Sequence, residues 1–274
     1  MNNKQVVAIV GSTGDIMQNA VFDLAKKNYD FIFINRSISK TMELVNQVLM
    51  INPETNIEMV ECDLSNILSV KKAANQLLTI HFDYLILAGA ILNDEKIKLE
   101  LGYSKILTVN FISQYYLAKK LASNKRFKTI VVSSLSYKWN KIDMNDIDFS
   151  SRKKNTVIYG NSKRYLTISL MEELDNLVIC HPGIVKTKMT TNYHKLVRPF
   201  IKFFMTILFP SPKKACRNIT LSLDLEPEKN TMFGPKVFNI WGKPKNKQIK
   251  DVKDYERDFV KQIANEIYLE IEKS

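Results

Sequence analysis

The run Tyr159-Gly160-Asn161-Ser162-Lys163 sets a phenol and an amine four positions apart. On a helix both would lie on one face. A free tyrosine titrates near ~10, whereas a general acid/base works best with a pKa closer to the working pH. An adjacent ammonium favours the phenolate and lowers that value. Such a pair could give a proton to a carbonyl oxygen or take one from a hydroxyl. Spacing alone is weak, because Tyr115/Lys119, Tyr116/Lys120 and Tyr137/Lys141 share it. Tyr159 differs in its surroundings. It follows an apolar run ending in Val132-Ser133-Ser134 and precedes one ending in His181-Pro182-Gly183.

The rest of the chain supplies a frame for that pair. Short apolar runs at 5–10, 31–34, 57–62, 84–88, 127–132 and 177–180 alternate with helical patterns at 15–28, 40–50, 67–80, 102–123 and 156–174. Continuous apolar strands alternating with helices predict a mostly parallel sheet covered on both faces. Right-handed crossovers make this a doubly wound Rossmann-type α/β fold. The C-terminal part is less regular: 211–223 and 250–272 read as helices and 237–240 as a strand. In the last helix Val252, Tyr255, Phe259, Ile263, Ile267 and Ile271 form the predicted apolar stripe. No Gly/Ser/Pro-rich linker interrupts the pattern, so one domain is expected over 1–274. Within it, 1–185 is the cofactor-binding and catalytic core, 186–225 the substrate-side region and 226–274 a C-terminal strand and helix.

The first strand-to-helix turn reads Val10-Gly11-Ser12-Thr13-Gly14-Asp15-Ile16-Met17. A dinucleotide fold places its pyrophosphate there, against glycine backbone and the N–H groups of a helix N-terminus. Met17 stands where a third glycine is usual. The second strand ends in Ile34-Asn35-Arg36-Ser37 with no Asp or Glu to accept from ribose hydroxyls. Arg36, with Asn35 and Ser37, could instead pair with a 2′-phosphate, which favours NADP(H) over NAD(H); the alternative is a surface arginine. Asp63, in Cys62-Asp63-Leu64-Ser65, either accepts from an adenine amino group or, with Ser65, caps the next helix.

Taken in order, G-x-x-G, D-L, A-G, V-N, V-S-S, Y-x-x-S-K and H-P-G-x-V-x-T resemble the short-chain dehydrogenase/reductase superfamily. N-R after the second strand, V-S-S-L and H-P-G-I-V-K-T resemble its retinol-dehydrogenase-like branch. The resemblance covers about residues 5 to 240. It implies that Tyr159 exchanges the hydroxyl proton, and that Lys163 lowers the Tyr159 pKa and holds the nicotinamide ribose. Ser134, or the adjacent Ser133, hydrogen-bonds the substrate oxygen, and Asn110 supports a water relay to Lys163. It also implies that Gly11, Ser12, Thr13, Gly14, Asp15, Ile16, Asp63, Leu64, Ala88 and Gly89 line the cofactor. Pro182, Gly183, Val185 and Thr187 lie on its nicotinamide side. Leu87-Ala88-Gly89 departs from the family's N-A-G, so an asparagine that braces the sheet is missing. The family's dimer faces correspond to the helices near 102–123 and 159–174, which implies a homodimer or homotetramer.

The formal net charge of +12 is spread along the chain, and no nucleic-acid-binding motif accompanies it, so no nucleic-acid partner is expected. Cys62, Cys180 and Cys216 are odd in number and widely spaced, which argues against disulfides and zinc and fits a reducing compartment. With no apolar leader and no spanning-length apolar stretch, cytoplasmic residence is expected. His81, His181 and His194 show no metal spacing, and no metal is expected. Residues 193–209 are rich in Phe, Ile and Leu with interspersed basic residues. Three uses compete: a lid over an apolar pocket, a helix on a lipid surface, or core and subunit packing. The leading expectation is an NADP(H)-dependent alcohol/carbonyl oxidoreductase acting on a small apolar or lipid-like molecule. The alternatives are a nucleotide-sugar epimerase or dehydratase, and an NADPH-sensing protein without turnover.

Overall fold

The computed structural model describes residues 4–92, 97–138, 141–149, 151, 154–185, 210–237 and 240–273, with backbone only at 241. Eight strands form one sheet in the order β3-β2-β1-β4-β5-β6-β7-β8. They are β1 (Val6–Val10), β2 (Asp30–Asn35), β3 (Ile57–Glu61), β4 (Tyr84–Leu87), β5 (Lys128–Val132), β6 (Leu177–Cys180), β7 (Thr231–Val237) and β8 (Trp241–Gln248). The first seven run parallel and β8 returns antiparallel along β7. Strand order reverses between β1 and β4, so a crevice opens at the C-terminal ends of those strands. Ligands of open α/β sheets bind at such a switch point.

The helices are α1 (Asp15–Lys26), α2 (Ile38–Ile51), α3 (Ile67–Leu78), α4 (Lys105–Leu107), α5 (Ser113–Ala122), α6 (Asn155–Glu173), α7 (Pro212–Ala215), α8 (Arg217–Ser222) and α9 (Asp254–Lys273). A π-helical turn, Thr108–Ile112, joins α4 to α5. They divide the apolar interior in two. On one face α1, α2 and α8 bury Met17, Val21, Leu44 and Ile219 against Val7, Ile9 and Phe33. On the other α3, α5, α6 and α9 bury Val70, Leu117, Leu166 and Ile267 against Ala8, Leu85 and Val131. Met17 is therefore a core side chain in this fold, as is Leu87.

Of the strand expected at 237–240, Val237 ends β7 and Ile240 lies in the turn before β8, while 238 and 239 lie outside the described residues. The flanking strands carry Gly234-Pro235 and Lys243-Pro244-Lys245, a composition that only an edge pair tolerates. The stripe expected of the last helix holds at Val252, Phe259, Ile263, Ile267 and Ile271, which are buried or packed on the core, while Tyr255 is 48% exposed and Glu256, Val260 and Ala264 are buried beside them.

Helix α9 lies along α6 and reaches α5. Tyr116 donates to Glu272, Lys119 pairs with Glu173 and donates to Asn265, and Arg257 pairs with Glu172. No residue of 113–122 or 157–174 is exposed. The chain's own last helix therefore packs along α6, one of the two helices expected to meet a second copy. Among the described residues no helix is long and apolar enough to cross a membrane.

Candidate active site

Parallel strands β1 to β6 end on one rim, and the chemistry-bearing residues gather there. β5 delivers Ser133 and Ser134 beside α6, which carries Tyr159 and Lys163. The structure separates the two serines. Ser133 is buried and shares a hydrogen bond of 2.8 Å with Thr167. Ser134 hydrogen-bonds the Tyr159 hydroxyl, so it is the serine available to a reacting oxygen. Ser136, which the sequence did not single out, donates to Ser134 Oγ at 2.9 Å, with its backbone N–H at 3.3 Å.

Burial pushes the Tyr159 phenol above its ordinary value, and the Ser134 hydrogen bond acts against that rise. Lys163 Nζ donates to the Val132 carbonyl at 3.1 Å. Burial brings Lys163 itself down to about 8, where an amine can hold or release a proton near neutral pH.

The other Tyr/Lys pairs have the opposite environment. Tyr115 donates to Glu173, Tyr116 to Glu272 and Tyr137 to Asp251. Burial and those carboxylates push all three phenols upward. They are structural donors.

Asn110 sits in the π-helical turn, a distortion often found at functional sites. Its Oδ1 accepts from Ile91 N at 2.8 Å, and its Nδ2 donates to Ile91 O and Ser162 Oγ at 2.9 and 3.1 Å. Ser162 in turn donates to Tyr159 O at 2.8 Å. Asn110 thereby braces the segment after β4 against the helix of the Tyr/Lys pair. The missing asparagine at 87 has a counterpart in Gln114, which the sequence gave no reason to suspect. Its Nε2 donates to Gly89 O at 2.8 Å and to the carbonyls of Val109 and Asn110.

At the other side of the crevice Gly11 adopts φ +82°. A Cβ there would lie 3.0 Å from Gly89 Cα and N, so the turn packs directly on the β4 end and needs glycine. Gly14 begins α1 with no side-chain cap, leaving first-turn N–H groups for an anion. Asn35 Nδ2 donates to Ser12 Oγ at 2.7 Å and Thr41 Oγ1 at 3.1 Å, and its buried Oδ1 has no partner. A buried polar atom left open beside an uncapped helix start fits a bound dinucleotide, whose ribose hydroxyl could satisfy it. Arg36 is exposed at this rim. Ser37 is the N-cap of α2, accepting from Lys40 N, so it serves the helix.

Asp63 Oδ1 accepts from Ser65 N and Oγ at 2.9 and 2.7 Å. The cap of α3 is Asn66, which accepts from Ser69 N; neither Asp63 nor Ser65 caps it. Leu64 packs on Gly89, and its carbonyl accepts from Ser113 Oγ. Pro182 and Gly183 are half-buried and Val185 is buried. Thr187 and 193–209 lie outside the described residues. Among the described residues no group of three His, Cys, Asp or Glu could hold a metal ion, and all three cysteines are free and buried.

His181 closes the rim. It is buried, and burial with Lys247 and Lys138 nearby brings it down to about 3, so it is neutral. Its Nδ1 accepts from Gly183 N at 3.2 Å. A Cβ at Gly234 would sit 2.0 Å from its Nε2. Gly234→Ala is therefore expected to cost about 3 kcal/mol, the upper end of the overpacking range, read as a lower urea midpoint. An unchanged midpoint would mean that the ring is free to move.

No family model matches the chain. It is 26% identical to mouse (Mus musculus) retinol dehydrogenase 14 over 192 residues, a stretch covering 64% of this chain and 58% of that protein. The chain thus spans little more than half the length of this relative. An uncharacterised protein of Mycobacterium paratuberculosis superposes with TM-score 0.71 at 18% identity, covering 98% of this chain and 94% of that one. A short-chain dehydrogenase from Sphingobium yanoikuyae, solved with NADPH, gives 0.59 at 13%, covering 80% and 84%. The sheet order agrees with these structures, and the ordered motifs agree with the likeness to retinol dehydrogenases and short-chain dehydrogenases.

Proposed function

We propose that the protein is an oxidoreductase that interconverts an alcohol and a carbonyl with NADP(H), on a small apolar or lipid-like substrate. The observation that carries this is the gathering of Ser134, Tyr159 and buried Lys163 at the strand-end rim, where β5 ends beside α6. That arrangement supplies an oxygen-binding donor, a proton donor and a proton reservoir side by side. The NADPH complex of the Sphingobium neighbour and the naming of the mouse relative as a retinol dehydrogenase support the cofactor and substrate class.

The Gly11–Ile16 turn and the start of α1 would hold the pyrophosphate, Asn35 the adenosine ribose, and Arg36 the 2′-phosphate that sets NADP(H) above NAD(H). Asp63 and Leu64 would face the adenine; Ala88, Gly89, Pro182, Gly183 and Val185 would flank the nicotinamide side. When bound, the cofactor supplies or accepts the hydride. In the reducing direction Ser134 donates to the carbonyl oxygen and stabilises the charge that develops on it. Tyr159 delivers its proton to the same oxygen. Lys163, poised near neutral pH, binds the ribose and helps return a proton to Tyr159, while Asn110 holds the Ile91 backbone in place. We read 1–185 as the core that does this and 186–225 as the substrate side.

The test is NADPH oxidation at 340 nm with hexanal, decanal, benzaldehyde, cyclohexanone and retinal. Turnover is expected with the longer apolar aldehydes, and weaker turnover with NADH. Tight NADPH binding with no oxidation across the panel would favour a sensor.

A further inference from the structure

Arg164 directly follows Lys163 on α6 and is almost fully buried, its side chain 3% exposed. All five of its N–H groups are engaged. Nε and Nη2 donate to the two carboxylate oxygens of Glu256 at 3.2 and 2.7 Å. Nη1 donates to Asp251 Oδ2 and to the Tyr137 carbonyl, each at 3.2 Å, and Nη2 to the Asp251 carbonyl at 2.7 Å. Glu256 also accepts from the backbone N–H of Ile142 and Lys253. Burial alone would raise its carboxyl, but the Arg164 hydrogen bonds and those amides hold it below the usual range.

These contacts join three segments: α6, the start of α9 and the 3-10 turn Leu135–Lys138 that follows Ser134. Tyr137 is held at both ends, its hydroxyl donating to Asp251 Oδ1 at 3.0 Å and its N–H to the Ser134 carbonyl at 3.1 Å. A buried ion pair contributes little net stability relative to apolar residues of the same volume. What this fork gives is direction. It fixes the turn from which Ser134 reaches Tyr159, on the helix that carries Tyr159.

We propose that Arg164 is a positioning residue: with Glu256 and Asp251 it uses the C-terminal helix to set Ser134 against Tyr159. The proposal rests on reading Ser134 and Tyr159 as the reacting pair. Catalysis is sensitive to small displacements of such groups, so a loosened turn lowers kcat without touching the phosphate-binding turn across the crevice.

The experiment compares Arg164→Met with the double variant Arg164→Met/Glu256→Leu in the full chain, using NADPH and decanal. The single variant leaves a carboxylate buried without its cation and should lower Tm by roughly 10 °C. The double variant removes both charges and should recover most of that loss. It should still lose roughly 10- to 100-fold in kcat, with the KM for NADPH unchanged. Amide hydrogen exchange provides a readout that needs no turnover. Residues 134–138 should exchange at least about tenfold faster in the double variant, while β5 and β6 keep wild-type protection. A double variant with wild-type kcat, or with wild-type exchange at 134–138, would overturn the proposal. If the wild-type protein leaves decanal unreduced, the reading of the site falls, and the exchange result alone decides whether Arg164 sets the turn.

Discussion

Tyr159→Phe should lose about 10³-fold in kcat, within the range for a positioned general acid/base, while its Kd for NADPH stays at the wild-type value. The phenyl ring keeps the packing; only the oxygen that exchanges the proton is gone. The control is Tyr115→Phe, whose hydroxyl bonds Glu173 on the α9 side of the fold and whose loss should leave turnover within a factor of two or so. Stopped-flow NADPH consumption measures both. Retention of a tenth of wild-type kcat by Tyr159→Phe would show that another group moves the proton. A pH profile adds a sign. Alcohol oxidation needs phenolate, so its rate rises with pH as Tyr159 ionises. The Ser134 hydrogen bond favours the phenolate, and Ser134→Ala must therefore move that rise to higher pH.

The second large effect concerns the cofactor. Arg36→Asp should weaken NADPH binding roughly 100-fold, because it removes a charge-assisted bond and places a carboxylate where the 2′-phosphate would lie. NADH, which lacks that phosphate, should bind within a few-fold of wild type. Titration of nucleotide fluorescence gives both constants. Equal losses for NADPH and NADH would mean that the substitution damages the turn at Asn35 instead of phosphate recognition.

The parts that were legible in the sequence are those in which local pattern and tertiary role coincide. Strands β1, β2 and β4 to β6 are largely buried, so they read as mostly apolar runs, and their helices carry ordinary amphipathic periodicity. Gly11 announces the turn because few other residues suit its positive φ. Tyr159 and Lys163 stand out through order along the chain, since spacing alone matched three structural pairs as well.

What stayed hidden depends on contacts between distant segments. Nothing near Ser133 and Ser134 says which one β5 turns toward Thr167. Leu87 looks like a defect until Gln114 is seen holding Gly89 from α5. Met17 reads as a lost glycine, yet it fills the core beneath α1. The burial of Glu256 in place of Tyr255 is not legible in the sequence, because its partner, Arg164, lies 92 residues away. The β7–β8 hairpin is masked by its prolines and lysines, which suit a sheet edge.

The most direct test follows the hydride itself. NADPH carrying deuterium at the transferring C4 position is mixed with decanal and the protein under single-turnover conditions, and the product is analysed by mass spectrometry. The account predicts 1-deuterated decanol from the wild-type protein and almost none from Tyr159→Phe. Tight NADPH binding with unlabelled, unreduced decanal, or equal labelling by both proteins, would contradict it.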